Sequence, residues 1–268
     1  MAAASIVVHA EADLERRFSG LRRLYGDAGY ARVRAARVAV VGLGGVGSWA
    51  VEALARSGVA ALTLIDLDHV AESNINRQLQ ATTRTLGMAK PLALEQRIAD
   101  IHPACVVHSV EAFAEPDNWP QLLPAPVDAV IDACDQVRAK AAIAAWALAT
   151  RMPLVCAGAA GGKRAPQRVE VADLADVTHD PLLAALRQRL RKAGAPRGGA
   201  LGVRCVFSRE AVLRPDAAGC AVGDDEPIDG SLNCSGYGSS VAVTATFGMV
   251  AAAEVIARLV RIGSEKAR

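Results

Sequence analysis

The sequence predicts an α/β fold: a doubly wound, mostly parallel sheet with an antiparallel extension in the second half of the chain. Three observations carry the prediction. The run Arg37-Val38-Ala39-Val40-Val41 leads into glycines at 42, 44, 45 and 47, and a second apolar run, Ala61 to Ile65, ends in Asp66. Strand, glycine turn, helix, strand, acid is the grammar of a nucleotide-binding βαβ unit, Rossmann-like in character. Strand-like and helix-like segments then alternate to about residue 160, which calls for parallel strands joined by right-handed crossovers. Beyond that point the pattern is less regular, with strand-like Arg168 to Val171 and Val203 to Ser208 separated by a helix and a Gly/Pro-rich loop.

Taken in order, residues 11–35 intersperse arginines with Leu14, Phe18, Leu21 and Leu24, a pattern of short helices before the first strand. An apolar-to-helical pattern covers Ala50 to Arg56. A helix is expected from Lys90 to Asp100 with Leu92, Leu94 and Ile98 inward, then a strand from Cys105 to Val110. Asp128 to Asp135 reads as a buried strand ending in two acids, Arg138 to Thr150 as an alanine-rich helix, and Pro153 to Ala157 as a further strand. Asp180-Pro181 starts a helix that runs to Lys192. A loop spans Gly194 to Gly202, residues 215–230 read as an exposed loop, and an apolar helix closes the chain. The expected organisation is one domain over residues 1–268: N-terminal helices at 11–35, a nucleotide-binding half at 36–160, and a second half at 161–268.

Composition narrows the class. Of 268 residues, 52% are apolar and 22% charged, enough for a sizeable core and too hydrophobic for disorder. The net charge of +2 means that an anionic partner has to be met by a local patch. The cysteines at 105, 134, 156, 205, 220 and 234 form no CxxC pair, so neither a disulfide framework nor a structural zinc site is expected, and a reducing cytoplasm is the default. Val241 to Ala253 is apolar but contains Thr244 and Thr246 and meets Glu254 and Arg258, which fits a core or interface helix better than a bilayer span.

The glycines at 42, 44, 45 and 47 allow a tight turn that brings backbone N–H groups to phosphate oxygens at a helix N-terminus. Asp66 is placed to accept hydrogen bonds from a ribose. An NAD-dependent dehydrogenase is weighed first, but its spacing differs, and it has no need of Ser73-Asn74-Ile75-Asn76-Arg77-Gln78, of Lys90, or of Asp132 and Asp135 on a neighbouring strand. Those residues suit a nucleoside triphosphate with a divalent cation. Arginine and lysine neutralise phosphate, carboxylates hold hydrated Mg2+, and asparagine amides fix orientation.

In these motifs the chain resembles the activating enzymes of the ubiquitin-activating type, which include bacterial molybdopterin- and thiamine-pathway adenylyltransferases. The matching pieces are Gly42 to Gly47, Asp66-Leu67-Asp68, Ser73 to Gln78, Gly87-Met88-Ala89-Lys90 and Asp132-Ala133-Cys134-Asp135. The resemblance implies ATP-dependent adenylation of a carboxylate. It places Arg77, Lys90 and Asp132 as catalytic residues, with Arg77 and Lys90 on the phosphates and Asp132 at the Mg2+ or pyrophosphate region. Gly42, Gly44, Gly45, Gly47, Asp66, Asp68, Asn74, Asn76, Gln78, Asp135 and Arg17 complete the implied ATP site. Where the adenylyltransferase branch has an arginine, this chain has Gly20, which leaves that role open, with Arg23 the nearby candidate for it.

One branch is similar over nearly the whole chain, the ThiF-like tRNA threonylcarbamoyladenosine dehydratases. The branch-like pieces include Arg17-Phe18-Ser19-Gly20, Gly158 to Lys163, Leu201 to Ser208 and Val243 to Gly248. This resemblance implies ATP-driven loss of water from threonylcarbamoyladenosine beside the tRNA anticodon, in a homodimer. It also gives Cys234 a possible sulfur-accepting role with a cysteine desulfurase partner. A basic stretch, Arg187, Arg191, Lys192, Arg197 and Arg204, with Lys163 and Arg164 upstream, is the expected tRNA surface; a solvated helix face is the plainer reading. The alternative activity is adenylation of a ubiquitin-like sulfur-carrier C-terminus. A nucleotide-sensing or sulfur-relay module without turnover is a third reading, which Arg77, Lys90 and Asp132 argue against.

Overall fold

The computed structural model describes residues 12–213 and 237–265. In chain order the first half contains α1 (Leu14–Phe18), α2 (Gly20–Ala35), β1 (Arg37–Val41), α3 (Gly47–Arg56), β2 (Ala61–Ile65), α4 (Lys90–Ile101), β3 (Val106–Val110), β4 (Ala129–Asp132), α5 (Val137–Thr150) and β5 (Leu154–Ala157). The second half adds β6 (Val169–Asp173), α6 (Pro181–Lys192), β7 (Arg204–Ser208) and α7 (Val241–Glu265). The seven strands form one sheet in the order β3-β2-β1-β4-β5-β7-β6, all neighbours parallel except β6 against β7. This is the doubly wound sheet with an antiparallel extension that the sequence pattern predicts.

The strand order reverses between β1 and β4: from β1 the chain winds outward through β2 to β3, then returns to β4 and winds the other way. Register aligns the strand tips there. Val41 stands opposite Ile65 on β2 and Asp132 on β4, so the segments starting at Gly42, Asp66 and Ala133 leave the sheet side by side. A crevice at the carboxyl ends of such strands is where open α/β sheets bind ligands.

Burial on both faces explains the near-continuous apolar strands. β4 and β5 are wholly buried, whereas Val106 on the edge strand β3 is exposed. α2, α3, α4 and α7 pack on one face, with Leu54, Leu64, Ile98, Phe247 and Val255 in that layer. α5 and α6 cover the other with Ile143, Leu183, Leu186 and Phe207. Each large side chain sealed in these layers contributes about 2 kcal/mol. α6 begins where Asp180 accepts from the Leu183 amide at 3.0 Å, followed by a proline at the first helical position.

α7 is longer than the apolar run from Val241 to Ala253 indicates, reaching Glu265. By length and composition Val241–Arg261 could cross a membrane, but half of its apolar window is buried within the protein. Val243, Phe247, Ala251 and Val255 repeat every four residues and form the ridge that enters the core. Gly248 makes the crossing with α3 close: a Cβ there would meet the Val46 carbonyl, and the Ala50 amide at 2.8 Å. The C-terminal helix therefore braces the glycine turn.

Candidate active site

The turn after β1 leaves no room for side chains at its first and last glycines. Gly42 has φ of 83°, and a Cβ on it would lie 2.7 Å from the Cys134 amide. Gly47, which opens α3, would drive a Cβ into the Gly42 carbonyl. Asp66 pins the same turn from below, with Oδ2 accepting from the Leu43 amide at 2.6 Å and Oδ1 from the Asp68 amide at 2.9 Å. Burial pushes the Asp66 carboxyl up from its ordinary value, while Lys90 and the two amides pull it back part of the way. Its carboxylate lines the cleft above the strand ends, with lone pairs left for a ribose hydroxyl.

Gly42, Gly44, Gly45, Asp66, Asp68, Arg77, Gln78, Lys90 and Asp135 all line this one cleft, so the structure brings together most of the residues singled out in the sequence. Lys90 enters from the first turn of α4. Its Nζ donates to Asp68 Oδ2 at 2.6 Å and lies 3.9 Å from Asp66 Oδ1. Arg77 is folded back, with Nη1 donating to the Ser73 carbonyl at 2.6 Å and to Asn76 Oδ1 at 2.9 Å. Burial lowers its value, yet a guanidinium stays cationic at neutral pH. Two fixed cations facing a glycine turn and a helix N-terminus make a polyphosphate cradle. Asp68 and Asp135 suit Mg2+, which is ordinarily held by one or two carboxylates together with substrate phosphates. Among the described residues no group of three or more His, Cys, Asp or Glu forms an all-protein metal cage.

Several placements correct the sequence expectations. Asp132 does not face the cleft: it is fully buried and paired with Lys140, equally buried, at 3.0 Å. Cys134 Sγ donates to Asp132 Oδ1 at 2.9 Å and Cys156 Sγ to Oδ2 at 3.5 Å. A carboxylate so sealed supports the floor of the site and is not available to a metal; Asp135, three residues on, takes the cleft position. Asn74 is spent on local structure, its Oδ1 accepting from the Ala71 amide at 3.1 Å. Asn76 bridges Arg77 to the Ser239 carbonyl and positions rather than lines. Arg17 lies elsewhere, its Nη1 donating to the Asp100 and Ile101 carbonyls at the end of α4.

The expected tRNA residues divide the same way. Lys163 is buried, and its Nζ donates to the carbonyls of His179, Ser208 and Glu210, so it ties a turn together instead of meeting RNA. Arg204 pairs with Glu254 at 3.0 Å. Arg187 donates to the Leu174 and Val177 carbonyls, yet together with Arg191, Lys192 and Arg197 it lines one groove along α6. Arg164 is exposed. Cys234 lies outside the described residues. The cleft also has walls that the sequence reading left without a role: Phe113, Gly158 to Gly161, Tyr237, Ser239 and Thr244. The glycine-rich stretch after β5 was the available signal, since it leaves a strand at the carboxyl edge as the first glycine turn does.

The ThiF family model matches residues 16–268. The chain is 44% identical to tRNA threonylcarbamoyladenosine dehydratase of Escherichia coli over 91% of its own length and 93% of the relative's. It is 39% identical to the protein of that name from Haemophilus influenzae over 96% and 98%. The solved structure of the E. coli tRNA N6-threonylcarbamoyladenosine dehydratase in complex with ATP superposes with a TM-score of 0.84 and 40% identity, covering 96% of this chain and 99% of that one. The molybdopterin-synthase adenylyltransferase of E. coli is 35% identical over 49% of this chain. The chain belongs to the ThiF family, and within it to the branch of the tRNA threonylcarbamoyladenosine dehydratases.

Proposed function

We propose that this protein uses ATP to remove water from threonylcarbamoyladenosine beside the anticodon of tRNA. The observation that carries the reading is that the likeness to the dehydratases runs through both halves of the chain, whereas the likeness to the carrier-protein adenylyltransferase stops at about half. In the proposed reaction the threonyl carboxylate displaces pyrophosphate at the α-phosphorus of ATP. The carbamoyl group of the same nucleoside then closes on the activated carbonyl and expels AMP.

The residues present fit this chemistry. Both reactants are anionic, so the task is to align them and screen their repulsion, which Lys90 and Arg77, both lining the cleft, are suited to do. Mg2+ would be held by Asp135 and Asp68 and would supply charge neutralisation on the leaving pyrophosphate. Ring closure is intramolecular and asks for no protein nucleophile. A homodimer belongs to the same proposal; Val241 and Met249 on α7 are exposed apolar residues that a second copy would cover. So does a reducing cytoplasmic setting, which suits the free cysteines 105, 134, 156 and 205. A sulfur-accepting partner acting through Cys234 is the least supported part of it.

The test is to incubate the protein with ATP, Mg2+ and tRNA carrying the modification and to weigh the released nucleoside. Loss of one water per nucleoside, with AMP formed in equal amount, is expected. An unchanged nucleoside mass alongside adenylation of a carrier-protein C-terminus would replace this reading with the alternative.

A further inference from the structure

The end of the sheet opposite the cleft carries a second concentration of cations. α5 is followed by its capping residue Arg151, which has φ of 59°, β5 begins at Leu154 and β7 begins at Arg204. All three belong to the amino edge of the parallel strands. The last turns of α7 bring Arg258 and Arg261 to the same edge, and a cavity of about 380 Å3 opens there, lined by Arg151, Arg258, Arg261, Leu148 and Gly202. Arg258 is half-buried and donates through Nη1 to the Leu154 carbonyl at 3.0 Å. Burial lowers its value; Glu254 opposes that, and Arg204 and Arg261 add to the lowering. Glu254 is itself engaged by Arg204 at 3.0 Å. Three guanidinium side chains lining one cavity offer an anion several charge-assisted donors from different elements of the fold.

A second feature gives the cavity direction. The loop from Gly194 to Gly202 joins it to the groove along α6: Arg197 lines the groove and Gly202 lines the cavity. Between them Gly198 and Gly199 have no neighbours that even an added Cβ would touch. The loop thus runs from one cationic cluster to the other, with open space at Gly198 and Gly199. Strands of four or five residues at about 3.3 Å each place this edge roughly 15 Å from the strand tips that hold the glycine turn. The phosphates of ATP and the modified nucleoside are out of reach; a neighbouring part of a long polyanion is not.

We infer that the Arg151–Arg258–Arg261 cavity docks a backbone phosphate of the tRNA away from the modified nucleoside, as a continuation of the α6 groove. The inference rests on tRNA being the substrate. Its experiment is to compare Arg151→Glu/Arg261→Glu and the charge-keeping Arg151→Lys/Arg261→Lys with the native protein. Affinity for tRNA is read by fluorescence anisotropy at several salt concentrations, and KM and kcat are read on modified tRNA.

The glutamate pair is expected to weaken tRNA binding at least tenfold, to reduce the slope of log affinity against log salt by about 1–2, and to raise KM with kcat within about twofold. The lysine pair should keep most of the affinity and shows that the cavity tolerates substitution. Unchanged affinity and salt slope in the glutamate pair would overturn the inference. So would calorimetric binding of inorganic phosphate that depends on Arg151 while tRNA affinity does not, since the cavity would then serve a small free anion. Absence of turnover in the native protein would refute the dehydratase reading, whereas the affinity comparison would still decide this one.

Discussion

Two lysine–aspartate pairs stand on either side of the glycine turn, and they do opposite things with the same chemistry. Lys90 joins Asp68 at 2.6 Å, but the Asp68 side chain is 54% exposed and the pair opens on the cleft. Lys140 joins Asp132 at 3.0 Å with both side chains at 0%. Burial alone would lower the Lys140 value, but the charge of Asp132, its hydrogen bond and the neighbouring Cys134 and Cys156 together outweigh it and hold the ammonium above its ordinary range. Ions taken wholly out of water depend on each other, because neither has another source of compensation. In the proposed reaction the open pair would trade partners, the Lys90 ammonium turning to phosphate while the exposed Asp68 stays solvated. One pair is sealed architecture and the other opens on the cleft where the proposed chemistry takes place.

The largest effect should come from breaking the fixed pair. Lys140→Met leaves a buried carboxylate without its counter-ion and is expected to cost about 3–5 kcal/mol, or roughly 10 °C in melting temperature. The double variant Asp132→Leu/Lys140→Met should recover most of that loss, since an apolar pair of similar volume removes both charges. Chemical denaturation of the three proteins checks the order. A loss below about 1 kcal/mol in Lys140→Met would mean that the pair is not sealed as described.

The open pair should give the converse result, a large kinetic effect with a smaller change in stability. Lys90→Ala and Arg77→Ala are each expected to slow pyrophosphate release by about 10²–10³, the range for removing a preorganised group facing transition-state charge. Their unfolding free energies should fall by about 1–2 kcal/mol, less than for Lys140→Met, because Lys90 is itself buried but its partner Asp68 is 54% exposed and stays solvated without it. Asp135→Asn should raise the Mg2+ concentration needed for half-maximal rate. An equal Mg2+ dependence in that variant would return the metal to some other group. If Lys90→Ala unfolds as readily as Lys140→Met, the contrast between the pairs collapses.

The sequence made the architecture legible because the central parallel strands are apolar runs that stop at a glycine or an acid, as Val41–Gly42 and Ile65–Asp66 do. It could not say which of Asp132 and Asp135 faces the ligand, since both stand at the end of one strand and differ only in whether the chain has begun to turn. The missing clue was on the next helix. Lys140 shares a stripe with Ile143, Ala144 and Ala147, all buried, and a lysine at an apolar position calls for a buried acid. Lys163 misled for a similar reason: three carbonyls claim its ammonium, and carbonyls leave no mark in a sequence. Arg77 and Lys90 were readable as cleft residues because their motifs keep a cation in sequence beside a glycine turn, and both line the cleft.

Glu52 offers an intermediate case, a nearly buried acid shared by two helices. It accepts from Arg56 at 2.7 Å within α3 and from Arg97 of α4 at 2.8 and 3.1 Å. Burial alone would raise its value, but the two guanidinium groups outweigh it and hold it below its ordinary 4.5. A carboxylate with a depressed folded value stabilises above its unfolded value and loses that contribution as pH falls through the folded one. Glu52→Gln should therefore cost about 1–2 kcal/mol at neutral pH, with the gap from native closing as pH drops below 4.5. A gap that persists unchanged into acid would assign the loss to packing rather than charge.

The smallest expected effect concerns the thiol beside the fixed pair. Cys134 borders the cleft, and position alone would make it a candidate nucleophile. Burial and then the charge of Asp132 push its thiol well above the ordinary value, so the thiolate needed for attack is scarce at neutral pH. The Sγ–H is already given to Asp132 Oδ1. Cys134→Ala should leave the dehydration rate within about threefold and cost near 1 kcal/mol for the lost hydrogen bond. Iodoacetamide at pH 8 should label this position far more slowly than an unfolded control. Rapid labelling, or a rate loss of tenfold or more, would mean that Asp132 activates the thiol, and the sealed pair would then belong to the chemistry after all.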